Sequence, residues 1–302
     1  LSSQLCEKPV YPAPGTSLKG QTGIVIGGNA GLGLESASML IGLDLSNLIV
    51  TTRSETKGEA TVNAISTRHP NSGTKVEFLI VDLSSYESIQ GFVNRCQQLA
   101  RIDFVILNAG MTSESHRLTK YTGHEELVQI NYLSPMLLTT LMLPVLKAKA
   151  PAGRPGRITV VNSGTAMHAK FPQHAEPSLL AALDSKDNYR NNATAANQYS
   201  LSKFLCHLYF DKLYQYVSAD DVVINLVDPG LTKGTELHRN INGALASQVL
   251  GGMKAMIGRT LEVGASTYIH AAITMGKQSH GSYIMDWRIY PYVDPPFHTG
   301  IG

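Results

Sequence analysis

Cysteine is scarce in this 302-residue chain: Cys6, Cys96 and Cys206 are odd in number and widely spaced. That excludes a disulfide framework and a zinc cluster with short ligand spacing, and it leaves buried thiols as the expectation for Cys96 and Cys206, which fall in helical stretches. Ten histidines include no His-x-x-x-His pair, so no metal is expected. Charge is sparse and balanced, 25 Lys plus Arg against 23 Asp plus Glu with no basic block; nucleic acid and anionic membrane surfaces are therefore not expected partners. The longest apolar run, Leu133 to Leu146, is interrupted by Pro135 and Pro144 and falls short of the ~20 residues that a bilayer span needs. Residues 1–20 are polar and Pro-rich, without the charged start and apolar core of a signal peptide, so a cytoplasmic location is expected. The chain opens on Leu1 and not Met, which leaves room for residues before it.

What is present is a hydrophobic fraction of 43%, enough for a large core. Short β-branched runs alternate with amphipathic stretches, the rhythm of βα units in a parallel sheet. Strands are predicted at Gly23 to Ile26, Leu48 to Thr52, Val76 to Val81, Phe104 to Leu107, Arg157 to Asn162, Val222 to Val227 and Ser282 to Met285. Helices are predicted at Leu32 to Ile41, Thr56 to Arg68, Ser84 to Leu99, Gly123 to Ala148, Asn197 to Val217 and Leu261 to Met275. Runs such as Phe104-Val105-Ile106-Leu107 have no polar face, which suits strands covered by helices on both sides. The expectation is a single-domain α/β fold, a doubly wound, seven-stranded parallel sheet spanning 21–302 after an extended lead-in at 1–20. Two polar or irregular segments, 164–196 and 231–259, follow carboxyl ends of strands, where ligands bind in such sheets.

The run Ile26-Gly27-Gly28-Asn29-Ala30-Gly31-Leu32-Gly33 leaves the first strand and enters the first helix, so its backbone N–H groups can meet a pyrophosphate. Glycine serves where the chain turns tightly and where a Cβ would block a phosphate or the helix-to-strand contact. The spacing Gly-x-x-x-Gly-x-Gly resembles the short-chain dehydrogenase/reductase family, a Rossmann fold, although that family usually carries Thr where this chain has Ile26, a loss of one loop-tying hydroxyl. Arg53 ends the second strand, where a carboxylate would accept from a ribose 2′-OH; an arginine pairs instead with a 2′-phosphate, which favours NADP over NAD, with Ser54 and Lys57 nearby. A solvated loop charge is the alternative for Arg53. The resemblance extends to Asp82-Leu83 after the third strand and Asn108-Ala109-Gly110 after the fourth. It implies that Asp82 and Leu83 meet the adenine and that Asn108, Ala109 and Gly110 support the cofactor; apart from it, Asp82 reads as a helix N-cap.

Tyr199 and Lys203 stand four apart at the start of a predicted helix and share one face. Reducing a carbonyl by hydride builds an alkoxide that needs a proton. A phenol near its ordinary pKa of ~10 is ill suited to give and take one, and a neighbouring ammonium favours the phenolate. Tyr199 then serves as acid/base and Lys203 as its electrostatic partner; a surface helix pair is the alternative. Ser163, at the carboxyl end of the fifth strand, places a hydroxyl where a substrate oxygen would lie. Asn131 matches the family's fourth catalytic position, which by resemblance holds a water linked to the lysine. An Asn in mid-helix is expected to distort the helix and free a carbonyl, with an interhelical polar contact as the alternative. By the same resemblance Pro229 and Gly230 form the turn under the nicotinamide and Thr232 orients its carboxamide.

These readings lead to an NADP(H)-dependent oxidoreductase for a carbonyl or secondary alcohol of a medium-to-large, partly apolar substrate, similar to retinol-dehydrogenase-like and fungal biosynthetic reductases, with a place in secondary metabolism. Met111, Met167, Phe171, Met253 and Met256 fall near the expected pocket mouth, as does His168. The competing readings are a cofactor-binding fold turned to a non-redox role such as ligand shaping or cyclisation, which Ser163, Tyr199 and Lys203 speak against, and a sugar-nucleotide epimerase, for which the tail after Met285 is short. The helices at 123–148 and 197–217 are expected to pair in a homodimer.

Overall fold

The computed structural model describes Gln4, residues 7–235 and residues 257–290. Cys6, Met253, Met256 and most of the 231–259 segment lie outside the described residues. Among the described residues eight strands form one sheet: β1 Thr22–Ile26, β2 Asn47–Thr52, β3 Lys75–Ile80, β4 Phe104–Leu107, β5 Gly156–Val161, β6 Val222–Asp228, β7 Tyr283–Met285 and β8 Arg288–Tyr290. Their order is β3-β2-β1-β4-β5-β6-β7-β8. The first seven run parallel, with Ile24 of β1 level with Ile49 of β2 and Val105 of β4. The order reverses between β1 and β4, so the loops leaving these two strands part company and open a crevice at the carboxyl edge.

The eighth strand corrects the expectation of seven parallel strands. β8 folds back antiparallel on β7 through Asp286 and Trp287, both in the left-handed region at φ 53° and 59°. Such a two-residue loop normally uses Asn or Gly, and neither is there to announce it. Its geometry is held from outside: Trp287 is buried, its indole N–H donating to Ser266 Oγ at 3.1 Å, and Asp286 is ion-paired with Arg259.

Alternation along the strands sorts the core into two layers. Ile24, Ile26, Val105, Leu107, Ile158 and Ile224 face helices α3 Tyr86–Gln97, α4 Glu126–Lys149 and α6 Asn192–Leu213. On the other face Val25, Val50, Phe104 and Ile106 meet α1 Gly31–Gly42, α2 Glu55–Arg68 and α7 Leu261–Ile269. The purely apolar strands are thus covered on both sides, as a parallel sheet requires. Among the described residues α4 alone is long and apolar enough to cross a membrane, but Met136, Leu138, Met142 and Leu146 pack it into the core of the fold. Cys96 and Cys206 are both buried free thiols, and burial pushes the Cys96 thiol up to about 12.

The segment expected to be irregular at 164–196 contains short helical turns, among them α5 Leu179–Leu183, and ends earlier than expected. α6 begins at Asn192 and not Asn197 because Asn191 and Thr194 form a reciprocal capping box. A third apolar cluster, with Ala166, Leu183, Leu201 and Phe204, fastens this segment to α6. Within α4 the turn at Gln129–Leu133 is a π-helix centred on Asn131, the distortion that a mid-helix Asn was expected to produce.

Candidate active site

The glycine loop is shaped by what a side chain would strike. Gly27 adopts φ +74°, and a Cβ there would lie 3.0 Å from Ala109 Cβ; a Cβ on Gly33 would sit 2.2 Å from the Gly27 carbonyl. Gly33 is therefore a packing residue and does not line the groove, whereas Gly27, Asn29, Ala30, Gly31 and Leu32 do. The Gly27 N–H donates to Thr51 Oγ1 at 3.1 Å, so the hydroxyl lost at Ile26 is supplied from β2. Asn108 Nδ2 donates to the Gly27 carbonyl at 3.0 Å, and Asn108 Oδ1 accepts from the buried Tyr268 hydroxyl at 3.1 Å. No side chain caps α1 at Ala30, which leaves the first N–H groups of a helix facing the groove. That is a cradle for a phosphate, and a dinucleotide fits it. Arg53, Asp82 and Leu83 line the same groove farther out. Asp82 is not the N-cap of α3; Ser85 fills that position, and Asp82 Oδ1 accepts from the Ser84 backbone and hydroxyl at 2.9 and 2.8 Å.

At the other end of the groove, Ser163 follows β5, and Tyr199 and Lys203 rise from one face of α6. The Ser163 hydroxyl accepts from Thr165 N at 3.3 Å and from Thr165 Oγ1 at 3.1 Å, which leaves its single proton for donation into the groove it lines with Tyr199. Burial raises the Tyr199 hydroxyl above the usual tyrosine range, the Ser163 hydroxyl pulls it down and the Asp228 carboxylate pushes it up again. Burial lowers the Lys203 ammonium, which donates to the Val161 carbonyl at 3.0 Å. Asn162 fixes the two elements together: its Oδ1 accepts from Ser163 N at 2.9 Å while its Nδ2 donates to the Lys203 carbonyl at 3.1 Å.

Asn131 does not line the groove. Its amide clasps Met111 by both backbone groups, at 2.9 Å each, and donates to Ser202 Oγ at 3.1 Å; its carbonyl, released by the π-turn, accepts from the Cys206 thiol at 3.2 Å. The interhelical polar contact and the helix distortion are both present in one residue. Pro229, Gly230 and Thr232 line the groove after β6. Asp228 ties this turn to the residue after Ser163, accepting from Gly230 N at 2.9 Å and Gly164 N at 3.1 Å. Burial raises its carboxyl, against the pull of these two N–H groups and the Arg259 charge.

The short chain dehydrogenase family matches residues 21–175. A short chain dehydrogenase/reductase of Annulohypoxylon moriforme, mfmJ, is 46% identical over 291 residues, 96% of this chain and 83% of that one. The short chain dehydrogenase virL of Hypocrea virens is 35% identical, covering 93% of this chain and 81% of its own length. This chain belongs to the short-chain dehydrogenase family. Its fold is shared with Pseudomonas aeruginosa RhlG, solved as an NADP complex, at TM-score 0.64 and 21% identity, with 95% of this chain and all of that one covered. It is shared too with a 3-oxoacyl-[acyl-carrier protein] reductase of Brucella melitensis solved with NAD, at TM-score 0.63 and 18% identity over 88% of this chain and 95% of that one.

In this short-chain dehydrogenase the residues expected from sequence converge on one groove, with Gly33 and Asn131 standing behind its wall. Four contributors escaped sequence reasoning. Thr51, Asn162 and Tyr268 hold the loops named above, and Gln4 reaches across from the N-terminal segment, its amide exchanging two hydrogen bonds with Leu231 at 2.6 and 3.0 Å. Only Thr51, at the end of a strand beside the glycine loop, carried a local signal. Met111 and Met167, expected near the mouth, line the groove with Met285 and His168, while Phe171 packs in the third apolar cluster instead.

Proposed function

We propose that this chain is an NADP(H)-dependent oxidoreductase that interconverts a ketone or aldehyde and its alcohol on a medium-to-large, partly apolar substrate, chiefly by reduction, in cytoplasmic secondary metabolism. The observation that carries the reading is the convergence of Ser163, Tyr199 and Lys203 on one groove whose other end is the glycine loop and Arg53. Arg53 would pair with the 2′-phosphate, Asp82 and Leu83 would border the adenine, and Gly27 to Leu32 would hold the pyrophosphate. Asn108, Ala109 and Gly110 would support the nicotinamide ribose with Lys203, and Pro229, Gly230 and Thr232 would meet the carboxamide. Bound there, NADPH supplies the hydride.

Tyr199 gives its proton to the carbonyl oxygen as charge develops on it, and Ser163 donates a second hydrogen bond to the same oxygen. Lys203 offsets the negative charge left on the phenol. The thioethers of Met111, Met167 and Met285 suit an apolar substrate of variable shape. The NADP complex of RhlG supports the cofactor choice, the NAD complex from Brucella shows that the fold admits either, and Arg53 is the residue in this chain that discriminates. Similarity to fungal short-chain dehydrogenases along nearly the whole chain supports the biosynthetic setting.

The test is a titration of the purified protein with NADPH and NADH, followed by nicotinamide fluorescence. Arg53→Ala should weaken NADPH ~10- to 100-fold and leave NADH nearly unchanged, the scale of a lost charge-assisted contact. A carbonyl screen then follows, with Tyr199→Phe as the inactive control. Failure of the wild type to bind either nucleotide ends the redox reading; equal affinity for both, untouched by Arg53→Ala, ends the NADP assignment.

A further inference from the structure

We infer that Arg259 is a positioning residue for the nicotinamide end of the groove: together with Asp286 and Trp287 it braces the Pro229-to-Thr232 turn from behind. The inference rests on the nicotinamide-cofactor reading above. Arg259 is buried, its side chain 3% exposed, and it does not line the groove, so it is not itself a ligand of anything bound there. A buried guanidinium is costly unless every direction of its fork is used. Here Nη1 donates to the Pro229 carbonyl at 3.1 Å, Nη2 is ion-paired with Asp286, and the plane lies over the Trp287 ring, 4.6 Å from its centroid. The Arg259 backbone adds two more ties, its N–H to the Leu231 carbonyl at 2.8 Å and its carbonyl from Lys233 N–H at 3.0 Å, which flank Thr232.

The turn is fitted to this brace. Gly230 adopts φ +71°, and a Cβ there would lie 2.8 Å from Arg259 Nη1, so the close approach requires glycine. On the other side Asp286 and Trp287 hold left-handed backbone, at φ 53° and 59°, that non-glycine residues rarely enter. Their contacts with Arg259, together with the Trp287 bond to Ser266, hold them there. The braced turn presents Pro229, Gly230 and Thr232 to the groove, and Asp228 at its root reaches Gly164 beside Ser163. A lysine could supply the charge but not the hydrogen bond, the ion pair and the stacked plane at once.

The experiment compares two ligands on the full chain: NADPH, and 2′,5′-ADP, which keeps the adenosine 2′-phosphate and lacks the nicotinamide. Arg259→Met and Asp286→Asn should each raise the NADPH dissociation constant ~10-fold or more and reduce the fluorescence enhancement of bound nicotinamide, while 2′,5′-ADP changes by less than about twofold. Arg259→Lys should recover part of the loss. Parallel weakening of both ligands, or NADPH binding unchanged in these variants, overturns the brace. Should Arg259→Met fail to fold, Asp286→Asn and Arg259→Lys decide by the same split. A wild type that binds 2′,5′-ADP and NADPH upholds the cofactor reading whatever the variants do; one that binds neither overturns that reading and the brace with it.

Discussion

At Tyr199 the useful quantity is the sign of each influence on one hydroxyl. Burial and the Asp228 carboxylate hold the proton on, and Ser163 loosens it. Reduction of a carbonyl consumes a protonated phenol, so a hydroxyl held above its ordinary range stays in the active form through neutral pH. The kcat/KM for reduction should be flat there and fall only on the alkaline side, as Lys203, lowered by burial, and then Tyr199 lose their protons. Alcohol oxidation needs the phenolate and should rise with pH; the positive oxidised nicotinamide favours that form, so this limb should lie at lower pH than the reductive fall. Rate profiles in both directions from about pH 5 to about pH 10 test this. A reductive rate that already falls between about pH 6 and about pH 7 would remove Tyr199 from the role. Tyr199→Phe should cost ~10²- to 10⁴-fold in turnover with NADPH binding intact.

At the scale of elements, the first strand, glycine loop and α1 act as one unit, and two glycines in helices separate close packing from mere flexibility. Gly33→Ala would drive a Cβ to 2.2 Å from the Gly27 carbonyl, a contact backbone cannot yield without moving the loop. It should lower the melting temperature and abolish nucleotide binding together. Gly91, exposed in α3 with nothing within 4 Å of where a Cβ would stand, should gain ~0.5–1 kcal/mol on substitution by Ala and leave binding alone. Thermal melts and NADPH titrations of the two variants read both effects; a stable, binding Gly33→Ala would show that the loop does not depend on that approach. The glycine run was legible in sequence because its function depends on local spacing at a strand-to-helix junction, and so were Ser163 and the Tyr199–Lys203 pair. Asn131 was legible for the same reason, since a mid-helix Asn signals distortion by itself. Tyr268 and Gln4 were not, because their partners lie 160 and 227 residues away and leave no mark beside them. The reversal into β8 was hidden likewise: Asp286-Trp287 has no turn composition, and its left-handed backbone is enforced by Arg259 and Ser266 from other parts of the chain.

For the whole molecule, the question is what the outer faces of α4 and α6 do. Their inner residues enter the core, and the two helices are joined near the surface by the Thr140 and Tyr209 hydroxyls at 2.6 Å. Leu208 on α6 stays 39% exposed close to this junction, and Pro144 on α4 is exposed as well. We propose that this face pairs with its copy across a twofold axis, making a four-helix contact in which every exposed residue meets its own equivalent surface. Light scattering should then report about 65 kDa, twice the 32.6 kDa of one chain. A charge placed in the centre of such an interface meets its own copy and loses its water, so Leu208→Glu should shift the mass toward 32.6 kDa with the circular dichroism unchanged. The groove opens at the carboxyl edge of the sheet while α4 and α6 flank one of its faces, so the separated chains should still bind NADPH. A wild-type mass of one chain at micromolar concentration, or a dimer indifferent to Leu208→Glu, would mean that these two faces meet only solvent.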